Sequence, residues 1–211
     1  MSFQLLRPSS RKVPILISVP HSGTKFPEEL KGLYNSSLIS SPDDTDWFVD
    51  QLYDFAPEMG ITMIAGKYSR WVIDLNRDQE SRPLYDDGRI ITQLCPTHSF
   101  AGDEVYLNDY HPNQQDIDSR LQAYYWPYYQ KIEEELREIK AEFGHVVFWD
   151  AHSIRQIVPL IRQEKFPELI LGDNNGTTAS PLLAETVMDQ LKRRGHKVNY
   201  NDPFKGGHLT R

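Results

Sequence analysis

One cysteine, Cys95, stands among the 211 residues, so the chain has no internal disulfide and no cysteine-rich zinc site. Positive charge is also in short supply. Twenty-three Lys and Arg face 30 Asp and Glu, a formal net charge of -7. With a pI near 5.5, that balance argues against nucleic acid or an anionic membrane as the main partner, while leaving room for a local cationic pocket. Long apolar runs are absent: the longest, residues 13–19, contains Pro14 and is far too short to span a bilayer. The first residues lack the basic-then-apolar pattern of a signal peptide, so the expectation is a soluble, cytoplasmic protein. There is no repeat and no low-complexity tract. What remains is an ordinary globular composition, 39% hydrophobic and 25% charged. The length suits a single domain over residues 1–211, which buries about 70% of its unfolded surface and needs no metal merely to fold.

Short apolar runs alternate with longer helical segments. Residues 13–19 read as a buried strand closed by Pro20, and residues 61–65, 71–75, 146–149, 169–171 and 198–200 as further strands. Residues 45–59 read as a helix capped by Asp43, Asp44 or Thr45 and stopped by Gly60. Residues 116–143 read as a charged helix interrupted or kinked at Pro127 and ended by Gly144. The clearest helix is 180–194, with Ser180 as cap, Pro181 at its first position and Gly195 after it. Residues 78–113, polar and punctuated by proline, read as a long irregular excursion over the surface. The pattern predicts an α/β fold: a single three-layer domain with a mixed, largely parallel sheet.

In such folds sites gather beyond the carboxyl ends of the strands. Two histidines fall there, His21 after the first strand and His152 in Asp150-Ala151-His152-Ser153. Converging imidazoles with a carboxylate suit zinc, although each histidine could instead serve only a loop hydrogen bond. The acid candidates are Asp43, Asp44, Asp46 and Asp50 around Trp47, and Asp150. The first group could equally favour a helix's positive end, and Asp150 could hold a histidine tautomer from behind. Arg70 and Arg77 flank an apolar segment with Asn76 beside the second. Guanidinium forks with an amide suit capture of an anionic substrate, and the alternative is an ion pair of Arg77 with Asp74 or Asp78. The glycine-flanked turn at 172–176 lacks the residues of a phosphate loop. Ser22 and Ser153 adjoin histidines on extended chain, where neighbouring side chains diverge. The aromatic run 124–129 reads as helix packing, and nothing activates Cys95.

Taken in order, Ile17-Ser18-Val19-Pro20-His21-Ser22-Gly23, Asp44-Thr45-Asp46-Trp47, Ser69-Arg70, Asp74-Leu75-Asn76-Arg77-Asp78 and Asp150-Ala151-His152-Ser153 resemble the N-formylglutamate amidohydrolase (formylglutamate deformylase) family. The similarity extends through Cys95-Pro96, Gly102, Arg120, Pro127-Tyr128 and Gly206-Gly207-His208-Leu209-Thr210-Arg211. It implies a fold of the zinc-exopeptidase (phosphorylase/hydrolase-like) type and zinc-dependent hydrolysis of N-formyl-L-glutamate in histidine degradation. It implies His21, Asp46 and His152 as zinc ligands, with Asp44 the second choice of acid. Asn76, Arg77 and Arg211 would hold substrate carboxylates, and Arg70 would polarise the carbonyl. The chain departs from the family at Tyr129, where relatives usually carry histidine. It also stops before the segment expected to supply a general-base glutamate, as though lacking a C-terminal portion. Two rival readings are an amidohydrolase for another N-acyl amino acid or small peptide, and a metal-free protein that binds an acidic metabolite.

Overall fold

The computed structural model describes residues 1–80, 82, 92–158 and 163–211. Their strands are β1 (Phe3–Leu6), β2 (Ile15–Val19), β3 (Thr62–Gly66), β4 (Val147–Asp150), β5 (Leu169–Leu171) and β6 (Val198–Tyr200). The helices are α1 (Glu28–Lys31), α2 (Ser36–Ile39), α3 (Val49–Leu52), α4 (Gln114–Arg120), α5 (Trp126–Phe143) and α6 (Pro181–Arg193). A π-helical turn, Leu121–Tyr125, joins α4 to α5, and a 3-10 turn covers His208–Thr210.

The main sheet runs in the order β1-β3-β2-β4. β2 pairs in parallel with β3 (Ser18 opposite Ile64) and with β4 (Ser18 opposite Asp150), while β1 lies antiparallel on β3 (Leu5 opposite Ile64). The sheet is therefore mixed and mostly parallel, as the alternating pattern predicts. Its pleat sends Leu16 and Ile64 to one face, where Tyr125, Tyr128, Ile132 and Ile139 cover them. Ile17, Val19, Met63 and Ala65 face the other way, against Val49, Ala56 and Ile61. β5 and β6 form a separate parallel pair joined through α6. That helix starts where the sequence says it should: the Ser180 hydroxyl accepts from the Leu183 amide, and Pro181 follows.

Several elements differ from expectation. β1 has no sequence signal beyond four residues and was not anticipated. The segment 45–59 is not one helix. Phe48 takes a left-handed φ of 64°, which stops a helix from starting before Val49, and the helix runs only to Leu52. Residues 71–75 are buried, yet they form turns rather than a strand, because side chains satisfy their carbonyls instead of a neighbouring strand. Tyr34 and Tyr106 hydroxyls donate to Trp71 O, and Arg120 Nη1 donates to Val72 O. The long helix departs from regular α-geometry where expected, in the π-helical turn Leu121–Tyr125 just ahead of Pro127. Its ring opposes the carbonyl four residues back, Ala123, which lies in the wider π-helical turn. Of the expected surface excursion 78–113, residues 81 and 83–91 lie outside the described residues. The remainder is irregular and much of it is exposed, as expected, but Leu94, Cys95, Val105 and Tyr106 are buried and anchor it to the core. Among the described residues, no helix is long and apolar enough to cross a membrane.

Candidate metal centre

Each parallel strand delivers one part of the site at its carboxyl end. β2 runs into Pro20 and His21, β4 into Ala151 and His152, and β3 into the turn segment bearing Arg70, Asp74, Asn76 and Arg77. Close approach of the loops after β2 and β3 requires glycine. A Cβ on Gly23 would lie 2.5 Å from Lys67 C and 2.6 Å from Tyr68 O, both backbone atoms that cannot yield. Asp46 is brought in from the next crossover, its amide donating to His21 O at 3.0 Å.

His21, Asp46 and His152 offer ligand atoms that all lie within 4.8 Å of one another, and the two imidazole rings are 4.9 Å apart. Both rings are held from behind in the same way. His21 Nε2 lies 2.7 Å from Asp74 Oδ1, and His152 Nε2 lies 2.9 Å from Asp150 Oδ2. An Nε2–H donated to each carboxylate leaves both Nδ1 lone pairs on the side of Asp46. His21 Nδ1 is buried without a hydrogen-bond partner, 3.8 Å from Asp46 Oδ2; His152 Nδ1 is 3.0 Å from the same oxygen. A buried, unpartnered nitrogen aimed at a carboxylate is costly unless something positive is shared between them. The donor set of two imidazole nitrogens and one carboxylate oxygen fits zinc.

The electrostatics agree with that fit. Burial, aided by Arg70, lowers the His21 pKa against the pull of Asp74 and Asp46, which keeps it neutral. The protein around His152 would also lower it by partial desolvation, with 30% of its side chain still exposed, but Asp150 and Asp46 on either side outweigh that and raise the imidazole to about 10. Burial opposes ionisation of Asp46 as well, yet the two histidines and Arg70 hold its carboxyl below the usual range. Asp74, fully buried, is held well below that range because Arg70, His21 and Arg77 overcome the penalty of burial. The cluster thus carries surplus negative charge, which a proton on His152 offsets where a cation could.

The other sequence-predicted residues are placed as follows. Asp44 turns away from the cluster and accepts from the Trp71 indole at 2.8 Å and the Phe100 amide at 2.9 Å. Arg70 is buried, donates to Asp74 Oδ2 at 2.5 Å, and lies 4.9 Å from the Phe100 ring centre. Asn76 Nδ2 sits 3.1 Å from His152 Nε2, and its Oδ1 accepts from the Leu209 amide. The Arg77 guanidinium donates to Thr92 and to Asn76 O, with Asp74 Oδ2 3.8 Å from its Nε. Arg211 follows the 208–210 turn and is exposed. Sequence reasoning treated Asp74 only as an ion-pair partner and overlooked Ser18 and Tyr128. Ser18 Oγ donates to Asp150 Oδ1, and the Tyr128 hydroxyl lies 3.0 Å from Ser18 Oγ. The available signals were a serine and an aspartate inside otherwise apolar runs.

The sequence matches the model of the N-formylglutamate amidohydrolase family over residues 13–211. The chain belongs to that family. This family member is 40% identical over 204 residues to the N-formylglutamate deformylase of Pseudomonas aeruginosa, an alignment covering 95% of this chain and 74% of that protein. It is 36% identical over 201 residues to the enzyme of the same name from Pseudomonas putida, with the same two coverages. Among solved structures, the N-formylglutamate amidohydrolase of Ralstonia eutropha superposes with a TM-score of 0.81 at 26% identity, covering 99% of this chain and 79% of that one. A protein from Agrobacterium tumefaciens superposes with a TM-score of 0.71 at 21% identity, covering 96% and 74%, a likeness of fold.

Proposed function

We propose that this family member is a zinc amidohydrolase that cleaves the formamide C–N bond of N-formyl-L-glutamate, giving formate and L-glutamate, as a step of histidine breakdown. The observation that carries the reading is the matched pair of imidazoles, each backed by a carboxylate and each presenting Nδ1 toward Asp46. His21, Asp46 and His152 would hold the ion. Zinc, when bound, would supply Lewis acidity that lowers the pKa of water toward about 7 and polarises a carbonyl oxygen. Asp74 and Asp150 fix the tautomers, and Arg70 adds a fixed positive charge beside the cluster while anchoring Asp74. Asn76, Arg77 and Arg211 are the groups for the substrate's carboxylates. An acidic ligand suits cationic side chains gathered locally in a chain that is acidic as a whole. The small-molecule substrate is the partner of this site.

The decisive test is metal content together with substrate preference. Purified protein is expected to hold one zinc, and His152→Ala to retain none; stoichiometric zinc in that variant overturns the ligand assignment. N-formyl-L-glutamate is expected to turn over faster than N-acetyl-L-glutamate or N-formyl-L-aspartate. Equal rates would assign the chain to a broader class of N-acyl amino acids.

A further inference from the structure

We propose that Tyr125 and Tyr129 are positioning residues that set Asn76 and Arg77 for the substrate's carboxylate, an inference that rests on the functional reading above. The two rings stack, with centroids 4.2 Å apart and planes 18° apart. One hydroxyl donates to Leu75 O and the other to Arg77 O, each at 2.7 Å. These are the carbonyls on either side of Asn76. Among the described residues no strand pairs with the segment, and each phenol supplies its carbonyl with a partly buried hydrogen bond.

The helical spacing makes the arrangement. Residues four apart share a helix face, so the two rings reach the same turn side by side. Burial pushes the Tyr125 hydroxyl up to about 12 and raises Tyr129 as well, so both remain protonated donors at neutral pH. The Asn76 side chain is then confined on both of its faces. Its backbone amide donates to Asp74 Oδ1 at 2.9 Å, its Nδ2 lies by His152, and its Oδ1 accepts from Leu209 N. A Cβ on Gly207 would stand 2.3 Å from Nδ2, which shows how closely the amide is enclosed. Moving the backbone at 75–77 therefore moves an amide that touches the cluster and a guanidinium beside it.

The test uses Tyr125→Phe and Tyr129→Phe, which keep the stacked rings and remove only the donors, with Tyr124→Phe as control. The Tyr124 hydroxyl donates to Glu29, away from the segment. Amide hydrogen exchange at Asn76, Arg77 and Asp78 should quicken in the first two variants and not in the control. Unchanged exchange overturns the proposal whether or not the protein is an enzyme. With wild-type hydrolysis of N-formyl-L-glutamate established, each of the two should raise KM about five-fold, with kcat and zinc content kept. Absence of wild-type hydrolysis would count against the functional reading alone, since the exchange result stands by itself. Because the phenols act through Asn76, Asn76→Ala should raise KM less in the Tyr129→Phe background than in wild type. Additive effects, or a KM rise shared by Tyr124→Phe, would overturn the assignment.

Discussion

Asp74 lies between Ile73 and Leu75 with no exposed surface, so its charge has to be answered on more than one side. Arg70 answers at Oδ2 and His21 at Oδ1, and the Asn76 amide adds a third hydrogen bond. Asp74→Asn keeps the shape and removes the charge, leaving Arg70 buried without its anion and His21 without a strong acceptor. Metal affinity is expected to fall roughly 10- to 100-fold, read by competition with a chromophoric chelator. Unchanged affinity would reduce Asp74 to a structural partner of Arg70. At this scale the sequence made His21 and His152 legible, because a histidine straight after an apolar strand has a fixed address. Direction was not legible. Spacing cannot say that Asp46 faces the imidazoles while Asp44 faces Trp71, since the left-handed turn at Phe48 and the folded crossover decide it.

The helical run from α4 to α5 begins with a reciprocal cap. The Asn113 side chain accepts from the Asp116 amide, and Asp116 accepts from the Asn113 amide and the Tyr110 hydroxyl. Asn113→Ala is expected to cost about 1 kcal/mol in urea unfolding while leaving metal content unchanged. The bond from Tyr110, then that from the Asn113 amide, holds the Asp116 carboxyl below its ordinary value. A group with a depressed folded pKa contributes stability that is present above its unfolded value, about 3.9, and is lost as pH falls through the folded one. Asp116→Asn should therefore flatten the part of the stability profile below about pH 4; an unaltered acid limb would show that the cap does not report on folding. Elements with local punctuation, such as α6 with Ser180, Pro181 and Gly195, were legible in the sequence. Residues 71–75 were not, because an apolar run looks the same whether a strand or a set of side-chain donors satisfies its carbonyls.

For the molecule as a whole, Glu135 is a charge set inside a core helix face: it lies fully buried on the stripe of α5 that carries Tyr128, Ile132 and Ile139. Arg7, just past β1 and about half exposed, meets it with two hydrogen bonds at 2.8 and 3.1 Å. The pair fastens the antiparallel edge strand to the helix that covers the sheet. Arg7→Ala is expected to destabilise by about 3 kcal/mol, because it strands a buried carboxylate. The double change Arg7→Met with Glu135→Leu should recover most of that loss in thermal unfolding; no recovery would mean the ion pair itself is favourable. The mixed sheet was legible from alternating strands and helices, whereas β1 joins it through long-range pairing that four residues cannot announce. The contact between the Leu209 amide and Asn76 spans 133 positions. On a ribosome adding about 5–20 residues per second, roughly 10–40 s pass between His21 and Leu209. During that interval His21 and Asp46 precede His152, so the growing polypeptide holds an unfinished version of the proposed ligand set. On the proposed assignment, firm capture of an ion belongs to the period after translation has passed β4, and the Leu209–Asn76 bond comes later still.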